Sequence, residues 1–252
     1  MQIEGAIAIV TGANRGIGRA FVERLLARGA ARVYAGSRTP EAHVALAALD
    51  PARVIPLTLD VTDPAAVAAA AGRASDVTLL VNNAGIMGLG GYLAAPSPDG
   101  ARAEMETNYF GALAMIRAFA PLLARNGGGT IVNMLSIAAH VNIPTVASYS
   151  ASKAAAWSMT QAVRAELAAQ GTHVVAVFPG PVDTDMAVSL PGEKVPPAEV
   201  ADRALDAVRD GTEDLFPDPY AQKLKQRLDQ DAKAIEKKLA ATIASAASAS
   251  RR

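Results

Sequence analysis

The chain has 252 residues, 24 basic and 24 acidic side chains, a formal net charge of zero and 51% hydrophobic residues. That balance excludes global disorder and a basic field for nucleic acid, and the length suits one large α/β domain with a well-buried core. No cysteine is present, which excludes disulfides, thiolate catalysis and zinc–cysteine sites, and the three histidines lack metal-ligand spacing, so no metal is expected.

In chain order, the first apolar run predicts a buried strand over 6–11. It starts within a few residues of Met1, which leaves no room for a secretory leader. No run is long enough to span a membrane, so a cytoplasmic protein is expected. Thr11-Gly12-Ala13-Asn14-Arg15-Gly16-Ile17-Gly18 follows. A helix is then predicted over 19–28, with Ala20, Phe21, Leu25 and Leu26 at helical spacing and Gly29 as its stop. Strand, glycine turn and helix in that order make a phosphate site, because glycines let the backbone approach a pyrophosphate that faces the helix N-terminus. Gly12, Asn14, Arg15, Gly16, Ile17 and Gly18 are its candidate contacts, spaced G-x-x-x-G-x-G rather than G-x-G-x-x-G.

A second strand over 31–36 leads to Ser37 and Arg38. Ser37 lies nineteen residues past Gly18, with no carboxylate beside it. An acid near that position would take the ribose hydroxyl of NAD, whereas an arginine accommodates a 2′-phosphate. Ser37 as a hydrogen-bond donor, Arg38 as a charged fork and Arg15 as a second cation therefore favour NADP(H), with NAD(H) left open. A third strand over 53–59 ends at Asp60 and Val61, which are assigned to the adenine. Asp60 otherwise reads as a turn residue before the Asp63-Pro64 helix start.

Strands over 76–82, 130–136 and 172–178, with a short seventh over 213–217, complete the pattern. Runs such as Thr78 to Val81 and Val174 to Phe178 are continuously apolar, as in parallel strands covered on both faces. Strands alternating with helices give a doubly wound parallel sheet with its ligand crevice beyond the carboxyl ends of the strands. Gly12, Asp60, Asn83, Ser136 and Pro179 all fall at or just past predicted strand ends. In Tyr149-Ser150-Ala151-Ser152-Lys153 a phenol and an ammonium sit one helical turn apart on one face. A close cation pulls a phenol down from about pH 10, which suits a proton donor and acceptor in carbonyl reduction.

From Ile3 to about Asp218 these segments resemble the short-chain dehydrogenases/reductases, in their single-domain branch. Thr11-Gly12-x-x-x-Gly16-x-Gly18 resembles the cofactor motif, and Asn82-Asn83-Ala84-Gly85 the sheet-stabilising motif. Asn108, Ser136, Tyr149 and Lys153 match the catalytic tetrad, and Pro179-Gly180-Pro181-Val182-Asp183-Thr184 the turn at the nicotinamide end. The resemblance implies a Rossmann-type sheet of about seven strands in the order 3-2-1-4-5-6-7 with helices on both faces. It also implies cofactor contacts from Asn83, Ala84, Gly85, Tyr149, Lys153, Pro179, Gly180, Val182 and Thr184. In the implied mechanism Tyr149 exchanges the proton, Ser136 steadies the carbonyl oxygen, and Lys153 holds the ribose and lowers the phenol's pKa. Asn108 is expected to shape a water path to Lys153, and Asn83 to tie neighbouring strands.

The expected activity is that of an NADPH-dependent ketone and aldehyde reductase, reversible as a secondary-alcohol dehydrogenase. The alternatives are a 3-ketoacyl-carrier reductase and a non-catalytic NADP-binding sensor. Ile86, Met87, Ile137, His140, Val141, Pro181 and Met186 are the expected substrate pocket, under a short lid from Met186 to Pro197. Residues 1–218 form the expected catalytic domain, 219–243 a helical extension with Tyr220, Leu224, Leu228, Ile235 and Leu239 at helical spacing, and 244–252 a flexible tail. The substrate is a small carbonyl or alcohol, and the family implies a homodimer on the two long helices near 100–125 and 149–170. The commoner tetramer ending is missing.

Overall fold

In a computed structural model describing residues 1–249, with side chains through Ala241, the strands are β1 (Ile7–Thr11), β2 (Arg32–Ser37), β3 (Val54–Thr58), β4 (Leu79–Asn82), β5 (Gly129–Met134), β6 (Thr172–Val177) and β7 (Asp214–Leu215). They form one sheet in the order β3-β2-β1-β4-β5-β6-β7, every pair parallel. The order reverses between β1 and β4, which opens a crevice at their carboxyl ends.

Side chains alternate across the sheet. Val10, Val33, Val81, Val132 and Val175 point to one face. There they pack with Phe21, Val22 and Leu25 of helix α1 (Gly16–Ala27), Leu46 of α2 (Ala42–Ala47), and Val200, Leu205 and Val208 of α7 (Pro197–Asp210). Ile9, Tyr34, Leu80, Ile131 and Val174 point to the other face. That face is covered by α3 (Pro64–Arg73), by Met115, Phe119 and Leu123 of α5 (Ala112–Arg125), and by Met159, Val163 and Leu167 of α6 (Ala147–Leu167). Both faces are therefore dry, which is what continuously apolar strands require.

Polar ties thread this core. Asn82 Nδ2 donates to Asn133 Oδ1 at 2.9 Å, Asn133 Nδ2 to Thr160 Oγ1 at 3.0 Å, and Thr160 Oγ1 to the Ala156 carbonyl at 2.7 Å. This buried chain couples β4, β5 and α6 in one register, since breaking any link orphans a buried polar atom.

The long helix expected near 100–125 is built in three pieces. Helix α4 (Asp99–Met105) runs into a π-helical stretch, Glu106–Gly111, before α5 begins. The last helix, α8 (Pro219–Ala249), is interrupted at Asp231, whose φ of −155° is non-helical and whose Oδ1 caps the amide of Ala234. Its backbone stays helical through Ala249, beyond the expected end of the extension at 243, so the tail expected from 244 is helical that far. Residues 250–252 lie outside the described residues. No helix among the described residues is long and apolar enough to cross a membrane.

Candidate active site

A cleft of about 850 Å³ follows the carboxyl ends of β1 to β6, which is large for a small-molecule site. Its floor is the glycine turn. Gly12 has a φ of +65° and Gly16 of +53°, values that L side chains resist. A Cβ on Gly18 would stand 2.1 Å from the Gly12 carbonyl oxygen, so Gly18 lets α1 close on the turn from behind. Gly12, Asn14, Arg15, Gly16 and Ile17 face the cleft, while Gly18 does not line it.

The turn is locked to β4. Thr11 Oγ1 accepts from the amides of Asn83 and Ala84, both at 2.9 Å, and Asn83 Nδ2 donates to the Thr11 carbonyl at 2.9 Å. Helix α1 has no side-chain cap at Arg15 and no acid in its first turn, so its leading N–H groups are offered to an anion. Together with Gly12 packed against Ala84, this fits a pyrophosphate and hence a dinucleotide.

Farther along, Arg38, Thr39, Asp60 and Val61 line the cleft where β2 and β3 end. Arg38 is exposed and has no ion pair among the described residues. Ser37 departs from expectation: it is buried and donates to the Thr39 carbonyl at 3.1 Å, so it shapes the loop and does not face the cleft. Asp60 Oδ1 accepts from both the amide and hydroxyl of Thr62, at 2.9 and 2.7 Å. Burial pushes its carboxyl up, yet the Thr62 hydrogen bonds and the Arg38 charge hold it below the usual range. Arg15 is engaged as well: its guanidinium pairs at 3.0 Å with Asp185, just before the lid, and neighbouring Thr184 lies against Gly16 of the glycine turn.

At the other end stand Ser136, Tyr149 and Lys153. Ser136 follows β5, takes a bond from the Ala138 amide at 3.2 Å, and shares the cleft lining with Tyr149. Lys153 Nζ, one turn along α6, sits 5.7 Å from the Tyr149 ring centroid and donates to the Met134 carbonyl at 2.7 Å. Burial pushes the phenol up to about 12, with the Ser136 contact pulling down and the Glu104 charge pushing up. Burial pushes the ammonium down to about 8. The expected lowering of the phenol by its neighbour is thus overturned, because desolvation outweighs an ammonium that turns toward a carbonyl.

Asn108 sits inside the π-helical stretch, buried behind the cleft wall. Its Oδ1 accepts from the Ile86 amide and its Nδ2 donates to the Ile86 carbonyl and to Ser152 Oγ, each at 2.9 Å. It therefore clamps the segment after Gly85 to α6. Glu104, also buried, holds the next part of that segment through the Gly88 amide at 2.7 Å.

Ala84, Gly85, Ile86, Met87, Ile137, Pro179, Gly180, Pro181, Val182, Thr184 and Met186 line the cleft. His140 and Val141 do not. The His140 ring packs 4.6 Å from Phe178, 5.6 Å from Phe216 and 5.9 Å from Trp157, and burial, helped by Lys225, pushes its pKa down. This aromatic cluster under β6 draws the ring away from the cleft. Leu190 lines the cleft from within the expected lid, while Ile143, Val146 and Tyr220 are lining residues that the sequence reading does not name. Ile143 and Val146 are isolated apolar residues with no motif around them. Tyr220 was visible only as a helix-face position.

The family model for short chain dehydrogenase matches residues 6–194. A short chain dehydrogenase of Monascus purpureus is 39% identical over 199 residues, 74% of this chain and 68% of its own length. Among solved structures, a short chain dehydrogenase of Burkholderia cenocepacia in complex with NADP is 48% identical, with a TM-score of 0.90, covering 95% of this chain and 99% of that one. A short chain dehydrogenase/reductase of Burkholderia phymatum in complex with NAD is 25% identical, with a TM-score of 0.83 over 93% of this chain and 96% of that one. With its sheet order and this match over most of its length, the chain belongs to the short chain dehydrogenase family of oxidoreductases.

Proposed function

We propose that the chain is an NADPH-dependent reductase of ketones and aldehydes, reversible as a secondary-alcohol dehydrogenase. The observation that carries this reading is a phenol, Tyr149, in one cleft lining with Ser136 and one helical turn from Lys153, together with the glycine turn and the exposed Arg38. The NADP held by the Burkholderia cenocepacia relative supports the choice of cofactor.

In this reading Gly12, Asn14, Arg15, Gly16 and Ile17 hold the pyrophosphate, Arg38 holds the 2′-phosphate, and Asp60 and Val61 flank the adenine. Residues 83–85 and 179–184 hold the nicotinamide end, and Lys153 the adjoining ribose. When bound, the cofactor supplies the hydride or accepts it. Tyr149 Oη donates its proton to the carbonyl oxygen and takes it back in the reverse direction. Ser136 Oγ donates a hydrogen bond to that same oxygen, steadying the charge that develops on it. Asn108 acts through Ile86, fixing the part of the cleft wall that follows Gly85. The same proposal takes the enzyme to be a homodimer paired along α4, α5 and α6, where Phe110 is exposed; sedimentation at a monomer's mass would refute that part.

The test is loss of reduced-nicotinamide absorbance over a panel of ketones and aldehydes, with NADPH and NADH in parallel. Turnover that favours NADPH is expected. Absence of turnover with every carbonyl, while NADPH binds in a separate titration, would leave a cofactor-binding sensor as the better reading.

A further inference from the structure

The family model ends at residue 194, yet the cleft does not. Asp218, just before α8, is 1% exposed and its two carboxylate oxygens divide their work. Oδ1 accepts from the Ala221 amide at 2.8 Å, which is an ordinary helix cap. Oδ2 accepts from the Gly180 amide at 2.7 Å, thirty-eight residues away in sequence. A charged acceptor makes this a strong bond, and it lands on the backbone of the Pro179–Gly180 turn.

Two residues on, Tyr220 lies in the cleft lining, and its ring rests against the same glycine: a Cβ at Gly180 would stand 2.7 Å from Tyr220 Cδ1. Behind the turn, Phe178 stacks on Phe216 at 5.0 Å, and the Gln222 side chain holds the Phe216 carbonyl at 3.0 Å. The beginning of α8 is thus anchored on both sides of the turn. The same cleft lining carries the apolar side chains of Ile137, Ile143, Val146 and Met186.

We infer that the first turn of α8 is a working part of the active site. Asp218 is a positioning residue that sets the Pro179–Gly180 turn, and the Tyr220 ring is a specificity determinant that favours carbonyl compounds bearing a flat aryl group. This rests on the reductase reading above. A tyrosine offers a planar face without a charge, and stacking against it favours an aryl over an alkyl substituent by about three- to tenfold.

The experiment uses the full chain with NADPH, comparing acetophenone with butanone. Tyr220→Ala should lower the acetophenone-to-butanone ratio of kcat/KM by about fivefold, through the KM for acetophenone, and Tyr220→Phe should restore it. Asp218→Asn should lower kcat for both ketones by about tenfold, leaving that ratio and the NADPH binding stoichiometry unchanged. An unchanged ratio in Tyr220→Ala, or an Asp218→Asn kcat within about twofold of the parent, would overturn the inference. If Asp218→Asn does not fold, the Tyr220 pair decides.

A parent enzyme that turns over neither ketone would count against the reductase reading on these substrates. Acetophenone binding to the NADPH complex, followed by cofactor fluorescence, then decides the inference: weaker binding in Tyr220→Ala supports it. Equal binding, or none in the parent, sinks it.

Discussion

Lys153 is a buried ammonium with one hydrogen-bond acceptor, the Met134 carbonyl. Held at about 8 against an ordinary 10.5, its charged form is disfavoured in the fold by on the order of 3 kcal/mol. Between about pH 8 and 10.5 the unfolded chain binds the extra proton, so this group makes stability rise with pH there, and its full penalty applies below 8. Tyr149 works in the opposite sense, since its proton is retained to about 12 in the fold, and stability falls as pH rises from 10 toward 12. Lys153→Met should therefore abolish turnover while raising stability by about 1–2 kcal/mol at neutral pH, after the lost carbonyl bond is discounted. Thermal melts across pH check this: the variant's melting temperature should exceed the parent's at pH 7, with the difference shrinking by pH 10. Tyr149→Phe should cut turnover about 100-fold or more with NADPH affinity within about threefold, read by steady-state rates and a binding titration.

Elements place these residues where local sequence cannot. The glycine turn, the Tyr149–Lys153 spacing and the Pro179–Gly180 turn are legible because each is a short run whose chemistry depends on its immediate neighbours. His140, Val141 and Ser37 were assigned to the site by proximity in sequence, but a ring goes where other rings are, and a serine bonds the nearest carbonyl. The π-helical stretch around Asn108 had no signal either: Glu106-Thr107-Asn108 reads as ordinary helix until Ile86 presents both its amide and its carbonyl. The break at Asp231 had a faint one, an Asp before Ala and Lys that reads as a cap only once the helix is known to stop there. Helix-to-strand contact at the turn yields the sharpest prediction. Gly18→Ala would put a methyl 2.1 Å from the Gly12 carbonyl oxygen, so α1 must shift. Loss of several kcal/mol and of NADPH binding is expected, checked by denaturant unfolding and titration.

At the scale of the molecule, alternation of strands and helices was enough to anticipate the parallel sheet, and all seven strands occur close to where they are expected. The last helix was legible as an element and not as a contributor to the cleft, because contact between Tyr220 and Gly180 is a product of the folded chain alone. A ligand that binds only the folded state stabilises the whole molecule, so NADPH at 100 times its Kd should add about 2.7 kcal/mol. That corresponds to a melting-temperature rise of about 5–10 °C. Arg38→Asp should shrink the rise with NADPH and leave that with NADH unchanged, as measured by thermal shift. Equal shifts in parent and variant would show that Arg38 does not meet the 2′-phosphate.

The lock between Thr11 and Asn83 spans 72 residues, and the bond from Gly180 to Asp218 another 38. During synthesis, then, the glycine turn leaves the ribosome long before the strand that holds it, and β1 waits for β4 with one edge unpaired. The far wall of the cleft is completed only when the beginning of the last helix emerges. A nascent chain stalled before residue 218 would carry the whole phosphate site and still lack a finished place for substrate.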